Sequence, residues 1–225
     1  YNVYNPKTDK DIAVNYSVED VIKAKAANKT ALQKELGLEE NPDAFMLGIV
    51  SRLTDQKGLD LVECVLDQIC AEDVQLVVLG TGEGKYQDMF TYYSRKYPER
   101  VSANIFYSEA LSHRIYASCD AFLMPSLFEP CGLSQLMSLR YGTLPIVRET
   151  GGLRDTVTPY NEVDGTGTGF SFTNYNAHEM LAIIRYAKKT YFNDRRAWNE
   201  MVLRAMKQDF SWDASAREYE KLYDG

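Results

Sequence analysis

Four nearly continuous apolar runs, set apart by amphipathic stretches, restrict what this chain can fold into. They are AFMLGIV (44–50), VQLVVLG (74–80), AFLMP (121–125) and LPIV (144–147). A strand with one face in water alternates apolar and polar residues, whereas an unbroken apolar run belongs to a strand covered on both faces. Helical patterns lie between the runs. GLDLVECVLDQIC (58–70) sets Leu59, Val62, Leu66 and Ile69 on one helical face. Further helices are predicted over 85–96, 109–118 and 132–141, with a strand near 101–107 and a candidate edge strand, GFSF, at 169–172. SVEDVIKAKAANKTALQKEL (17–36) reads as a leading helix capped by Ser17 and ended by Gly37. Residues 176–223 read as two or three helices without strands. The order predicts an α/β fold, a Rossmann-like doubly wound parallel sheet with helices on both faces. At 225 residues the chain is expected to be one domain, 1–225.

In such sheets ligands bind at the carboxyl ends of the strands, in the loops that lead into helices. Those loops are SRLTDQKG (51–58), GTGEGK (80–85), YSEALS (107–112), PSLFEPCG (125–132) and RETGG (148–152). Arg52 and Lys57 are two cations able to meet a phosphate, one as a fork and one as a point charge; the alternative is two solvated surface charges. Gly58 then allows a tight helix start. Gly80, Gly82 and Gly84 are spaced G-x-G-x-G, which is neither the dinucleotide fingerprint nor a P-loop. They leave a Gly-rich turn that lines a cleft or is simply tight. Tyr107 ends a strand and could stack on a nucleobase, or could belong to the core or rim. His113 reads as a helix-surface or capping residue, and His178 carries no signal.

The stretch FEPCGLSQLMSLRYG (128–142) places an acid just ahead of a helix with a small first turn. The amides of Gly132, Leu133 and Ser134 have no intrahelical acceptor, so they and the helix dipole suit an anion. Thr150, Gly151 and Gly152 offer a second set of bare amides at the next strand end. Glu129 cannot hold a phosphate. It could accept hydrogen bonds from sugar hydroxyls, face positive charge developing at an anomeric carbon, or merely cap the helix.

Composition closes off other classes. A formal charge of −7 opposes a general nucleic-acid or anionic-membrane surface. Four cysteines without a CxxC spacing and two histidines give no zinc pattern and suit reduced thiols. No apolar run reaches the roughly 18–20 residues that span a bilayer.

The blocks SRLTDQKGLDLV, LGTGEGKY, YSEALSHRIYASCD, PSLFEPCGLSQLMSLRYGTLPIVRETGGLRDTV and FSWDASAREYEKLY, in that order, resemble the C-terminal half of bacterial glycogen synthases and plant starch synthases. The resemblance implies the C-terminal domain of a GT-B glycosyltransferase that transfers glucose from ADP-glucose, with retention, to the non-reducing end of an α-1,4-glucan. It implies no metal and no cofactor, and a cytoplasmic enzyme, or a plastid one in a plant. By similarity Arg52 and Lys57 contact the diphosphate, Tyr107 stacks on adenine and Glu129 lies near the donor sugar. Gly132, Leu133 and Ser134 match the phosphate-holding helix start, and Thr150, Gly151 and Gly152 the loop by the distal phosphate and sugar. Cys131 matches a small packing group. Many related retaining transferases carry a ribose-binding acid eight residues after the first; Met137 stands there, so ribose recognition stays unassigned. No KTGGL block occurs in the chain. Residues 1–16 are expected to be a linker remnant. The last helix, over 211–225, is expected to cross toward a missing half that covers apolar surface near Trp212 and Tyr219. On its own, the segment is expected to bind the nucleotide sugar without turning it over. A dinucleotide oxidoreductase is the rival that the glycine spacing disfavours.

Overall fold

A computed structural model describes residues 3–129, 132–208 and 210. Among these residues, six strands form one sheet: β1 (Phe45–Val50), β2 (Val74–Leu79), β3 (Val101–Asn104), β4 (Ala121–Met124), β5 (Leu144–Arg148) and β6 (Phe170–Phe172). Their order is β3-β2-β1-β4-β5-β6, and every neighbouring pair is parallel. This is the predicted doubly wound sheet, and GFSF supplies its edge strand. The order reverses between β1 and β4, where Leu47 pairs with Ala121 and Gly48 with Phe122.

The helices are α1 (Val21–Leu36), α2 (Leu59–Ala71), α3 (Gly84–Lys96), α4 (Glu109–Ser118), α5 (Ser134–Arg140), α6 (Gly151–Thr156), α7 (Ala177–Asn193) and α8 (Arg195–Lys207). They cover both faces, as the unbroken apolar strands require. Leu47, Ile49, Leu76 and Val78 join the larger apolar cluster, which also takes Val62 and Leu66 of α2 and Ile184 of α7. Met46, Val77 and Leu79 point the other way, onto Leu32 of α1 and Leu111 and Ile115 of α4.

Several boundaries differ from the sequence reading. The leading helix starts at Val21, not Ser17, because Ser17 is used locally: its amide donates to Asp20 and its hydroxyl to Glu19. Gly37 does end it, in a left-handed conformation with φ 70°. Strand β3 stops at Asn104, and Tyr107 therefore lies three residues beyond it in a loop. RETGG was read as a loop, but its glycines open α6. The expected crossing helix over 211–225, with Trp212 and Tyr219, lies outside the described residues, as does Cys131.

Helix α1 packs a polar stripe inward. Lys29 Nζ meets Asp120 Oδ2 at 2.7 Å, and that oxygen also accepts the Met46 amide at 2.8 Å. One turn earlier, Lys25 donates to the Tyr116 and Ala117 carbonyls, both at 3.1 Å, and to Thr143 Oγ1 at 2.7 Å. Gln33 donates to Gln75 Oε1 at 2.8 Å. The amino ends of β1 and β4 are thus sealed by satisfied polar groups.

Candidate functional site

The carboxyl ends of β1 and β4 form the crevice that a switch in strand order creates. The loop after β1 (51–58) contains a short 3-10 turn, Asp55–Lys57, and ends at Gly58, where φ is 79°. A Cβ at Gly58 would sit 2.0 Å from the Pro125 carbonyl oxygen, so the β1 and β4 loops touch there and only glycine fits. Gly80 and Gly82 do the same for the loop after β2. Added Cβ atoms would lie 1.9 Å from the Ser51 oxygen and 2.3 Å from the Leu53 oxygen. Their job is close backbone approach: Leu53 donates to the Thr81 carbonyl and Glu83 to the Leu53 carbonyl, both at 2.9 Å. The two glycines thus shape the cleft wall, and Gly80 lines it.

Glu129 does not cap α5. Its Oε2 takes Lys57 Nζ at 2.8 Å and Ser126 Oγ at 3.2 Å, and the N-cap position of that helix, Leu133, makes no side-chain cap among the described residues. The pair is mostly sheltered, with side-chain exposures of 23% for Lys57 and 12% for Glu129. Lys57 therefore faces the acid in this structure. Arg52 is exposed and has no acid partner among the described residues. At the next strand end, Gly152 is not bare as expected: its amide donates to the Glu129 carbonyl at 3.0 Å. The α6 start thereby braces the acid's own backbone. Leu133 is 67% exposed, and it and Ser134 begin α5 with amides that find no acceptor among the described residues. Gly132 precedes them at φ 64°.

Arg148, at the end of β5, holds the acid's loop in place. Its Nε donates to the Ser126 carbonyl at 2.9 Å and its Nη2 to the Leu127 carbonyl. The sequence reading passed over it because an arginine at a strand end looks like any surface cation.

Two clefts adjoin here. The smaller, about 170 Å³, lies between Lys57, Glu129, Arg52 and Ser134. The larger, about 330 Å³, is lined by Arg52, Ser134, Gly80, Tyr107, Tyr4 and Ser112. Arg52, Ser51, Val50 and Ser134 line both. Tyr107 is 87% exposed on the rim, so the core reading of that ring is excluded.

Residues 3–16 are packed onto the domain. Asp9, Ile12 and Tyr16 are buried, and the Tyr16 hydroxyl donates to the Tyr141 carbonyl at 2.7 Å. His113 corrects the surface or capping expectation. It is 1% exposed and its Nδ1 lies 2.6 Å from Asp9 Oδ2, with the Tyr4 ring stacked on it at 4.0 Å. Spacing gave no hint of this pair, which joins residues 104 positions apart.

A strand-end crevice with an exposed arginine, a sheltered acid–lysine pair and an exposed aromatic has side chains suited to an anionic, ring-bearing ligand. A family model described as "Glycosyl transferases group 1" matches residues 29–202. The chain belongs to the group 1 glycosyl transferases. Among its relatives, the glycogen synthase of Lachnospira eligens is 69% identical over 224 residues, covering 100% of this chain and 47% of the relative. The glycogen synthase of Clostridium acetobutylicum is 53% identical, covering 99% and 46%. This glycosyl transferase chain therefore spans about half the length of the curated relatives it matches. Among solved structures, the catalytic domain of Starch Synthase IV from Arabidopsis thaliana, bound to ADP and acarbose, superposes with a TM-score of 0.89 at 34% identity. That match covers 99% of this chain and 46% of that one. A sucrose-phosphate synthase from Thermosynechococcus elongatus shares the fold, with a TM-score of 0.64 at 21% identity over 93% of this chain and 49% of that one. No helix among the described residues is long and apolar enough to cross a membrane.

Proposed function

We propose that this chain is the donor-binding half of a cytoplasmic glycogen synthase. The full-length protein would transfer glucose from ADP-glucose, with retention, to the 4-hydroxyl at the non-reducing end of an α-1,4-glucan. The observation that carries this reading is the shared border of the two clefts at Arg52 and Ser134. A nucleotide sugar has its base and its sugar on opposite sides of a diphosphate, and the crevice has that shape. Its aromatic rim at Tyr107 suits the adenine, and its acid-bearing pocket at Glu129 suits the glucose. The choice of ADP rests on the starch synthase, which is bound to ADP, and the choice of glycogen on the relatives' names.

The chemistry follows from charge. The C1–O bond to the diphosphate breaks and its electron pair leaves with ADP. Arg52, the α5 amides at Gly132, Leu133 and Ser134, and Lys57 stabilise that charge. Glu129, held by Ser126, faces the cationic anomeric carbon and accepts sugar hydroxyls. Thr150 and Gly151, at the next strand end, would serve the sugar end. The acceptor oxygen forms the new bond on the same face and passes its proton to the departing phosphate, so no enzyme nucleophile is needed. Donor phosphate competes with Glu129 for Lys57, so binding loosens the resting ion pair and frees the carboxylate toward the sugar. The missing partner domain would bring most of the glucan side.

The test is glucose incorporation by the full-length protein with a glucan primer and ADP-glucose or UDP-glucose. The reading expects ADP-glucose to be used and the isolated 225-residue chain to bind ADP without turnover. Incorporation from neither donor would contradict it, and preference for UDP-glucose would correct the base.

A further inference from the structure

We propose that Tyr4 and Ser112 form a hydroxyl-binding subsite for the ribose of the donor nucleotide. The inference rests on the nucleotide reading above. Ribose connects the base to the diphosphate, so it must lie between Tyr107 and the Arg52–Ser134 border. Tyr4 and Ser112 line the same cleft as Tyr107, Arg52 and Ser134.

Their hydrogen bonding suits a guest hydroxyl. Ser112 Oγ donates its one hydrogen to the Glu109 carbonyl at 2.6 Å, leaving lone pairs that can only accept. The Tyr4 hydroxyl is then the donor in the Tyr4–Ser112 contact. At 3.3 Å that contact is longer than an ordinary O–H···O bond. A ribose hydroxyl that donates to Ser112 and accepts from Tyr4 replaces one long bond with two ordinary ones.

Tyr4 is also held firmly enough to discriminate. Its ring stacks on His113 at an interplanar angle of 14°. His113 is fixed by Asp9, whose Oδ2 also takes the Tyr141 hydroxyl and whose Oδ1 takes the Asp11 amide at 2.9 Å. Asp9 and the His113 side chain are almost wholly buried, with side-chain exposures of 2% each. The segment before α1 is thereby locked to α4, the helix that carries Ser112. Asp9 and His113 are positioning residues here, and Tyr4 and Ser112 are the ones that touch the ligand.

The test is calorimetric binding of ADP, 2′-deoxy-ADP and 3′-deoxy-ADP to the full-length protein, to Tyr4→Phe and to Ser112→Ala. The proposal expects one deoxy analogue to bind wild type about three- to tenfold more weakly than ADP, the size of one neutral hydrogen bond. That penalty should vanish in both variants, whose melting temperatures should stay close to wild type. ADP binding with no hydroxyl dependence in wild type, or a full penalty retained in Tyr4→Phe, overturns the subsite alone. Failure of wild type to bind ADP overturns the nucleotide reading and the subsite with it.

Discussion

The two ends of the β1–β4 seam carry similar side chains and use them in opposite ways. At the amino end, Lys29 and Asp120 pair at 2.7 Å with side-chain exposures of 3% and 10%, and Lys25 is capped by three oxygens. At the carboxyl end, Lys57 and Glu129 pair at 2.8 Å but border a cleft, and Arg52 stands exposed beside them. A closed network keeps its interaction energy for the fold. An open one leaves charge for a ligand that the chain itself does not contain. The same contrast separates positions where substitution should unfold the protein from positions where it should silence it.

The largest effect is expected at the closed end. Asp120→Ala strips the partner from the buried Lys29 and the acceptor from the Met46 amide, and should cost about 3–5 kcal/mol of stability in denaturant unfolding. A loss below about 1 kcal/mol would mean that this end is wetter than its burial suggests. Next is Arg52→Ala at the open end. It should lower kcat/KM of the full-length enzyme by about 3–4 kcal/mol, near a hundred- to thousandfold, and leave stability within about 0.5 kcal/mol of wild type. Equal losses of stability from the two variants would erase the distinction.

Tyr107→Ala should weaken ADP binding by about 1–3 kcal/mol through the lost stacking face, and Tyr107→Phe should preserve it. A titration of both variants separates the ring from its hydroxyl. The smallest effect lies within the closed end and sharpens its own internal contrast. Burial pushes Lys25 down to about 7 from an ordinary 10.5. Burial also pulls Lys29 down, but Asp120 and Tyr191 outweigh it and the net shift is upward. Between pH 7 and 10.5 the unfolded chain holds a proton on Lys25 that the folded chain lacks, so this group makes stability rise with pH. Its penalty is fully present below pH 7. Lys29, with its raised value, contributes stability that is fully present below 10.5 and adds no slope in this window. Lys25→Met should therefore flatten the stability–pH curve by roughly 1 kcal/mol per pH unit, read from unfolding midpoints between pH 7 and 9.

The open end was far more legible in the sequence than the closed one. Parallel strands announce themselves as apolar runs, and ligands of such sheets bind in the loops that follow them, so Arg52, Lys57, Glu129 and Ser134 could be singled out as candidates by position. What sequence could not show is who pairs with whom. Lys57 and Glu129 are 72 residues apart and meet only because Gly58 lets one loop touch the other. The amino end was invisible for a related reason. Lys25, Lys29 and Gln33 look like the solvated face of an Ala- and Lys-rich helix, and only tertiary structure turns that stripe inward. Asp9 and His113 were hidden likewise, as a polar linker residue and a helix-surface histidine. Gly152 was misjudged because an amide's acceptor, here the Glu129 carbonyl, is a matter of fold and not of spacing.

A crystal structure of the chain with ADP tests the central claim most directly. The account predicts diphosphate oxygens within hydrogen-bond distance of the Arg52 guanidinium and the Ser134 amide, with adenine over Tyr107. A diphosphate bound elsewhere, with Arg52 still turned to solvent, would contradict it.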